Sequence, residues 1–290
     1  MADTELSVHH RGIISSAIYG EARACRIDLI RPPTRLGDSS AIYLVDGAYV
    51  LHVSPTTFPD AVRIEGDAVR AMRDRLGQAG HVLPPIAAEG RIDGRSFMAV
   101  PRLQPLSRTR IRGRIDRLRI RGAALAWVRA LAALAEPPSA EATTRFSVRL
   151  AALAAMPDLA GDIASAAASA RAALDSGAAD IGHVPMHGDL WLGNLLRQAD
   201  GSLCVIDWGG SQPHGYGIYD LMRLGDSLRI PPRIMRRELA AHMVALGGPQ
   251  AARIHLLAAL GHYAAHLGEF PRANFVAMAN GVWRLFTALH

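Results

Sequence analysis

Residues Val184 to Asp220 read VPMHGDLWLGNLLRQADGSLCVIDWGGSQPHGYGIYD, and this stretch decides how the other parts of the 290-residue chain are understood. His187-Gly188-Asp189 opens it, Asn194 follows five residues after the aspartate, and an apolar run ends in Asp207-Trp208-Gly209. Between them Ala199-Asp200-Gly201-Ser202 has the composition of a tight turn, so Leu195-Leu196 and Leu203 to Ile206 are predicted to pair as a hairpin. Such a hairpin sets Asn194 and Asp207 at adjacent strand ends, where two oxygen ligands can hold Mg²⁺ against a nucleotide's phosphates. Asp189, on the loop before, is then placed to accept a proton from an attacking hydroxyl.

Upstream, the first hundred residues read mainly as strands. Cys25 to Ile30, Ala41 to Val45 and Ala48 to Val53 are short apolar or alternating runs. Asp46-Gly47 between the last two is a hairpin signal, because both residues tolerate positive φ. Glu65, Val69, Met72 and Leu76 then recur on one helical face, closed by Gly77 and Gly80. Ile86 to Ala88 and Ser96 to Val100, separated by the Asp93-Gly94 turn, complete a β-β-β-α-β-β order. From Pro101 the period changes to helical: Ile111, Ile115, Leu118, Gly122 and Leu125 define a stripe, and two further helices are expected near 143–155 and 162–175. After the β interlude, residues 218–290 are helical again. The expected division is 1–101, a small β-rich lobe, and 102–290, a larger α-helical lobe.

Composition excludes several chemistries. The formal net charge of +6 comes from 32 basic and 26 acidic residues, and every basic residue is arginine. A lysine-free chain makes no Schiff base and has no lysine phosphate clamp. Cys25 and Cys204 are too few for a disulfide framework. The start, MADTELSVHH, lacks the pattern of a secretory signal, and no uninterrupted apolar run approaches about 18 residues. The expectation is a cytoplasmic protein.

H-G-D-x-x-x-x-N, then an apolar strand and D-W-G, resembles the catalytic and metal-binding loops of aminoglycoside phosphotransferase and choline-kinase-like enzymes, small-molecule relatives of the protein kinases. The resemblance covers most of the chain in order and implies an α+β, bilobal protein-kinase-like fold. It implies Mg²⁺ and ATP or GTP as cofactor and phosphoryl donor, and a hydroxyl of a small molecule as acceptor. Asp189 would be the catalytic base, Asn194 and Asp207 the Mg²⁺ ligands, and His187 and Asp220 the supports of the loop. Leu36 to Tyr43 takes the place of the phosphate-covering hairpin, with backbone N–H groups of Gly37, Ser39 and Ser40 available to phosphate oxygens. On the third strand the family places a lysine that grips phosphates and pairs with a helix glutamate. Here His52 stands there, with Glu65 as the expected partner. Two readings of His52 remain: an imidazolium that contacts phosphate, favoured by nearby negative charge, or a filler in a pseudokinase, a non-catalytic nucleotide-binding or interaction protein on the same fold.

The acceptor is expected between the catalytic loop and the carboxy-terminal helices. Residues 221–290 hold Asp226, Glu238 and Glu269 against eight arginines, which argues against a polycationic acceptor and for a neutral or anionic one, such as a sugar, a nucleoside-like metabolite or an antibiotic of low positive charge. His255, His262 and His266 share a helical face; half-buried histidines, a pocket wall with Tyr263 and Phe270, or a zinc site are the alternatives. Seven arginines between Arg108 and Arg121 raise nucleic acid or membrane binding, but they lack interleaved aromatics and lie opposite the apolar stripe, so neither partner is expected.

Overall fold

A computed structural model describes residues 6–32, 39–107, 109–267 and 271–290, without the side chain of Arg110. Gly37, Arg108, Glu269 and Phe270 lie outside the described residues. The chain divides into two compact units: Met1–Asp74 with His81–Pro105 and Leu196–Gly209, and Arg75–Gly80 with Leu106–Leu195 and Gly210–His290.

The first unit is a five-stranded antiparallel sheet with one helix before it and one inserted. Strands β1 (Ile27–Arg31), β2 (Ala41–Val45), β3 (Tyr49–Val53), β4 (Ala88–Ile92) and β5 (Arg95–Pro101) lie in the order β1-β2-β3-β5-β4. Both expected turns form. Asp46 and Gly47 have φ of 49° and 69°, and Asp93 and Gly94 have 48° and 76°, so each turn holds two consecutive left-handed residues, as a two-residue hairpin requires. The second turn also explains why β4 runs from Ala88 to Ile92 instead of the expected 86–88. A two-residue connection sets Ile92 opposite Arg95, and pairing then proceeds away from the turn until it nears Pro84-Pro85, which offer no N–H.

One sheet face carries Tyr43, Val45, Leu51, Val53, Phe97 and Ala99, packed with Ile14 of α1 (Val8–Tyr19). This helix was not among the sequence expectations, although Ser7 and Gly20 bracket it. Ser7 accepts from the His10 N–H in a capping box, and Gly20 closes the helix at φ 80°. The opposite face, with Val50, Met98 and Val100, receives Val62 of α2 (Ala61–Leu76). The first N–H groups of α2 are not left orphaned: Val62 N–H donates to Ser54 Oγ at 2.9 Å and Arg63 N–H to Ser96 Oγ at 3.1 Å, from the ends of β3 and β5. The short β6 (Gln104–Pro105) pairs with β8 (Leu195–Arg197), which pairs in turn with β9 (Leu203–Val205), the expected hairpin.

The second unit is helical: α3 (Arg110–Ala132), α4 (Ala140–Ala154), α5 (Gly161–Asp175), α6 (Tyr219–Ser227), α7 (Pro232–Ala245), α8 (Pro249–Ala264) and α9 (Arg272–Leu289). Helix α4 packs on α5 and α8. Two short strands, β7 (Val184–Met186) and β10 (Gln212–Gly215), pair antiparallel; β10 was not expected, because Pro213 and Gly215 hide its pattern. The stripe foreseen on α3 is corrected: of its five residues Leu125 is buried, and Gly122 is exposed together with the first three. Ile111, Ile115 and Leu118 are exposed, and the buried line runs through Gly113, Asp116, Ile120 and Ala124, where Asp116 accepts the Ser107 N–H at 2.9 Å. With arginine at every second or third position, several faces offered a consistent period, and a polar anchor chose between them. Among the described residues no helix is long and apolar enough to cross a membrane.

These burial differences predict unequal costs. Leu51→Ala, at a fully buried position, lowers the free energy of urea unfolding by about 2–5 kcal/mol. Leu118→Ala, on the exposed face of α3, changes it by no more than about 0.5 kcal/mol.

Candidate active site

In the second unit the loop after β7 is shaped by one buried carboxylate. Asp220, in the first turn of α6, accepts His187 N–H at 2.7 Å and Gly188 N–H at 3.0 Å. Burial raises its pKa to about 6; the two N–H donors act in the lowering direction and the charge of Asp189 in the raising one. The residue that starts α6, Ile218, has φ +70°, a left-handed conformation that costs a β-branched residue about 1–3 kcal/mol. That strain is held where the helix begins so that Asp220 meets the loop.

His187 is fully buried and its Nδ1 accepts the Asp189 N–H at 3.2 Å, so this nitrogen carries no proton and the ring serves as a brace. Gly188 has φ +92°, and a Cβ there would stand 2.7 Å from both the Gly210 carbonyl oxygen and the Tyr263 hydroxyl. The hydroxyl of Tyr263, on α8, donates to the Gly188 carbonyl. Burial raises the Tyr263 pKa well above its usual value, so the proton needed for that bond stays on the oxygen.

The loop presents the half-buried carboxylate of Asp189 with three N–H donors around it. Arg223 Nη2 lies 3.3 Å from Oδ1, and Trp191 Nε1 and Asn194 Nδ2 each lie 3.2 Å from Oδ2. Asn194 Nδ2 also donates to the Asp189 carbonyl at 2.8 Å, which leaves the amide oxygen as the atom available to a cation. Trp191 and Arg223 were missed by sequence reasoning, and Tyr263, expected only as part of a pocket wall, was not foreseen as the partner of Gly188. Arg223, three residues after Asp220, falls on the face of α6 turned toward the loop, and the helical period alone could have found it.

In the first unit, Asp207 follows β9 as an exposed residue at φ +67°, a conformation aspartate adopts more readily than most. The turn is pinned by Trp208, fully buried, whose Nε1 donates to the Val205 carbonyl at 2.7 Å. Half-buried Glu65 of α2 has its pKa pushed up to about 7, first by burial and then by the negative charge of Asp207. Two carboxyl groups in mutual repulsion, one of them exposed, form an oxygen-rich place that a hard divalent cation relieves, so the residues present fit Mg²⁺. Ser39 and Ser40 are half-buried at the start of β2.

His52 is the clearest departure from expectation. It is not joined to Glu65 by any hydrogen bond or ion pair among the described residues; the charge acting on Glu65 is that of Asp207, and the charge acting on His52 is that of Arg31. It is half-buried, and its register partners on the neighbouring strands are Ile42 and Met98. Burial, reinforced by Arg31, pushes its pKa down to about 4, which favours the uncharged imidazole at pH 7.

The three histidines considered near the acceptor separate. His255 is buried and its Nδ1 accepts the Gly217 N–H at 3.0 Å, His262 is half-buried, and His266 is exposed. Among the described residues no group of three or more His, Cys, Asp or Glu side chains is placed to hold a metal ion.

The fold and the order of its motifs are those of the protein-kinase-like small-molecule kinases. The chain belongs to the phosphotransferase enzyme family, whose profile matches residues 32–272. No curated protein sequence matches the chain. Among solved structures it is similar to a GDP complex of wild-type aminoglycoside 2'-phosphotransferase-IIIa, with 15% identity, a TM-score of 0.55, and 98% of this chain and 100% of that one covered. It is also similar to a choline kinase of Streptococcus pneumoniae, with 12% identity, a TM-score of 0.52, and 97% and 99% covered. At these identities the likeness is one of fold.

Two outcomes are expected. Gly188→Ala lowers the melting temperature, and Tyr263→Phe in the same chain does not restore it, because the Gly210 carbonyl still blocks the Cβ. The second concerns acid. His255 is held to a pKa of about 3 by burial, against 6.5 ordinarily, so between those values the unfolded chain takes up a proton the folded one refuses. Its contribution to stability is therefore full above about 6.5 and falls as pH falls, by up to about 1.4 kcal/mol per pH unit. Urea unfolding of His255→Gln measured from pH 7 to 4 should show a shallower acid limb than wild type.

Proposed function

We propose that the protein transfers the γ-phosphoryl group of ATP or GTP to a hydroxyl of a small neutral or anionic molecule. The observation that carries this reading is the Asp189 carboxylate, held by Trp191, Asn194 and Arg223 on a loop that Asp220 fixes through two backbone N–H groups. Asp189 accepts the acceptor's hydroxyl proton as the oxygen forms its bond to the γ-phosphorus. The bond from γ-phosphorus to the β,γ-bridging oxygen breaks, and the nucleoside diphosphate leaves with the electron pair. Asn194, through its amide oxygen, and Asp207 would hold Mg²⁺, which when bound neutralises phosphate charge. His187 and Asp220 act through the loop, and Ser39 and Ser40 remain candidates to meet the donor.

Support for a non-cationic acceptor comes from the charges of the second unit. Glu238, one of the few acids of the carboxy-terminal region, is buried and already bound by Arg129 at 2.6 Å and Arg237 at 3.1 Å. Asp189 itself has Arg223 beside it. A polycation would find its carboxylates taken, whereas an anionic or neutral molecule would not. A pseudokinase is the second reading, favoured by the uncharged His52.

Mg²⁺-dependent release of ADP or GDP over a panel of hydroxylated small molecules tests the proposal. Turnover with at least one acceptor is expected, and Asp189→Ala should lower kcat by about a hundred- to ten-thousandfold. No turnover with any acceptor, together with thermal stabilisation by nucleotide, would replace the enzyme by the pseudokinase.

A further inference from the structure

The chain has no lysine, and its His52 is uncharged at neutral pH. A nucleotide triphosphate bound beside Glu65 and Asp207 would therefore meet concentrated negative charge with no cation on the third strand. The sheet supplies one from another strand. Its registers place Arg31, Ile42, His52, Met98 and Glu89 in one row across β1, β2, β3, β5 and β4. Residues directly opposite in antiparallel strands share a face, so Arg31 stands on the face of His52.

It does so because of an irregularity. The pairing of β1 with β2 slips between Leu29 and Arg31, leaving Ile30 as an extra residue. Without it Ile30 would oppose Ile42, and Arg31 would oppose Ala41, whose side chain belongs to the buried core. The bulge thus turns a guanidinium out of the apolar core and into line with His52. The positive charge of Arg31 also acts on the His52 ring, in keeping with that register.

Arg31 is also exposed, and it forms no ion pair among the described residues. Arg23, Arg26, Arg63, Arg70 and Arg91 of the same unit are each tied to a carboxylate, whereas no carboxylate pairs with Arg31 among the described residues. At the far end of the row Glu89 is matched by Arg70 at 2.6 Å. An unpaired planar guanidinium suits phosphate, which it can bind through two parallel N–H donors.

We propose that Arg31, turned by the β1 bulge onto the row of His52, is the side chain that binds the phosphates of the donor nucleotide. This rests on the phosphotransferase reading and adds to it the residue that does the work of the absent lysine. His52 is then an uncharged spacer whose neutrality avoids repelling the neighbouring guanidinium.

Equilibrium binding to the full chain tests it, with MgATP, MgGTP and the two nucleosides adenosine and guanosine as probes, on wild type, Arg31→Gln, Arg31→Lys and the double variant Arg31→Gln/His52→Lys. Arg31→Gln should weaken binding of whichever triphosphate the wild type prefers by about tenfold or more, the loss of one charge-assisted contact. Nucleoside affinity should stay at the wild-type level, which also shows that the variant is folded. Arg31→Lys should retain part of the affinity, and His52→Lys in the double variant should restore it by returning a cation to the row. Unchanged triphosphate affinity in Arg31→Gln, or an equal loss for nucleoside and triphosphate, overturns the proposal and leaves the phosphotransferase reading standing. A wild type that binds neither triphosphate overturns both.

Discussion

The acceptance of two consecutive backbone N–H groups by Asp220 is the constraint from which the loop after β7 follows. With His187 and Gly188 N–H both pointing at one carboxylate, the chain must turn sharply, and Gly188 takes the left-handed conformation that the turn needs. The next residue then faces outward, where Trp191, Asn194 and Arg223 orient its carboxylate. A carboxylate in a dry environment is costly unless its lone pairs are used. The arrangement is therefore self-consistent: the loop needs the acid, and the buried acid needs the loop.

Much of this was legible in the sequence because it rests on short-range rules. Asp46-Gly47 and Asp93-Gly94 specify left-handed turns by composition, and the registers of two strand pairs, β2 with β3 and β4 with β5, follow from them. The helix of Val69, Met72 and Leu76 is visible in its period. The spacing from His187 to Asp207 is that of a family whose profile spans most of the chain. What stayed hidden depends on contacts distant in sequence. The pairing of β10 with β7 has no apolar alternation behind it. Tyr263 reaches Gly188 from 75 residues away, and nothing local in α8 announces it. The polar anchor Asp116 set the buried line of α3 against a plausible apolar stripe. The charge state of His52 could not be read from its neighbours in the chain, because burial decides it.

Arginine as the only basic side chain has effects beyond the site. A guanidinium keeps its charge in any protein environment, so none of the cations here can be tuned by burial as a lysine can. Charge is controlled instead by pairing. Glu238, almost wholly buried, is reached by both Arg129 and Arg237, and Asp60 is shared by Arg63 and Arg91. Groups that do respond to their surroundings include carboxyls, imidazoles and a phenol: Asp220, Glu65 and Tyr263 upward, His52, His255 and His262 downward.

The bulge in β1 makes strand length, as well as residue identity, a carrier of information. Because side chains alternate across a sheet, the presence of Ile30 sets whether Arg31 shares the face of His52 or that of the apolar interior. A relative with one residue fewer here could keep every side chain and still lose the cation's position. Comparisons among such proteins therefore need strands aligned by their pairing partners, since aligning the letters alone would match an outward arginine with an inward one.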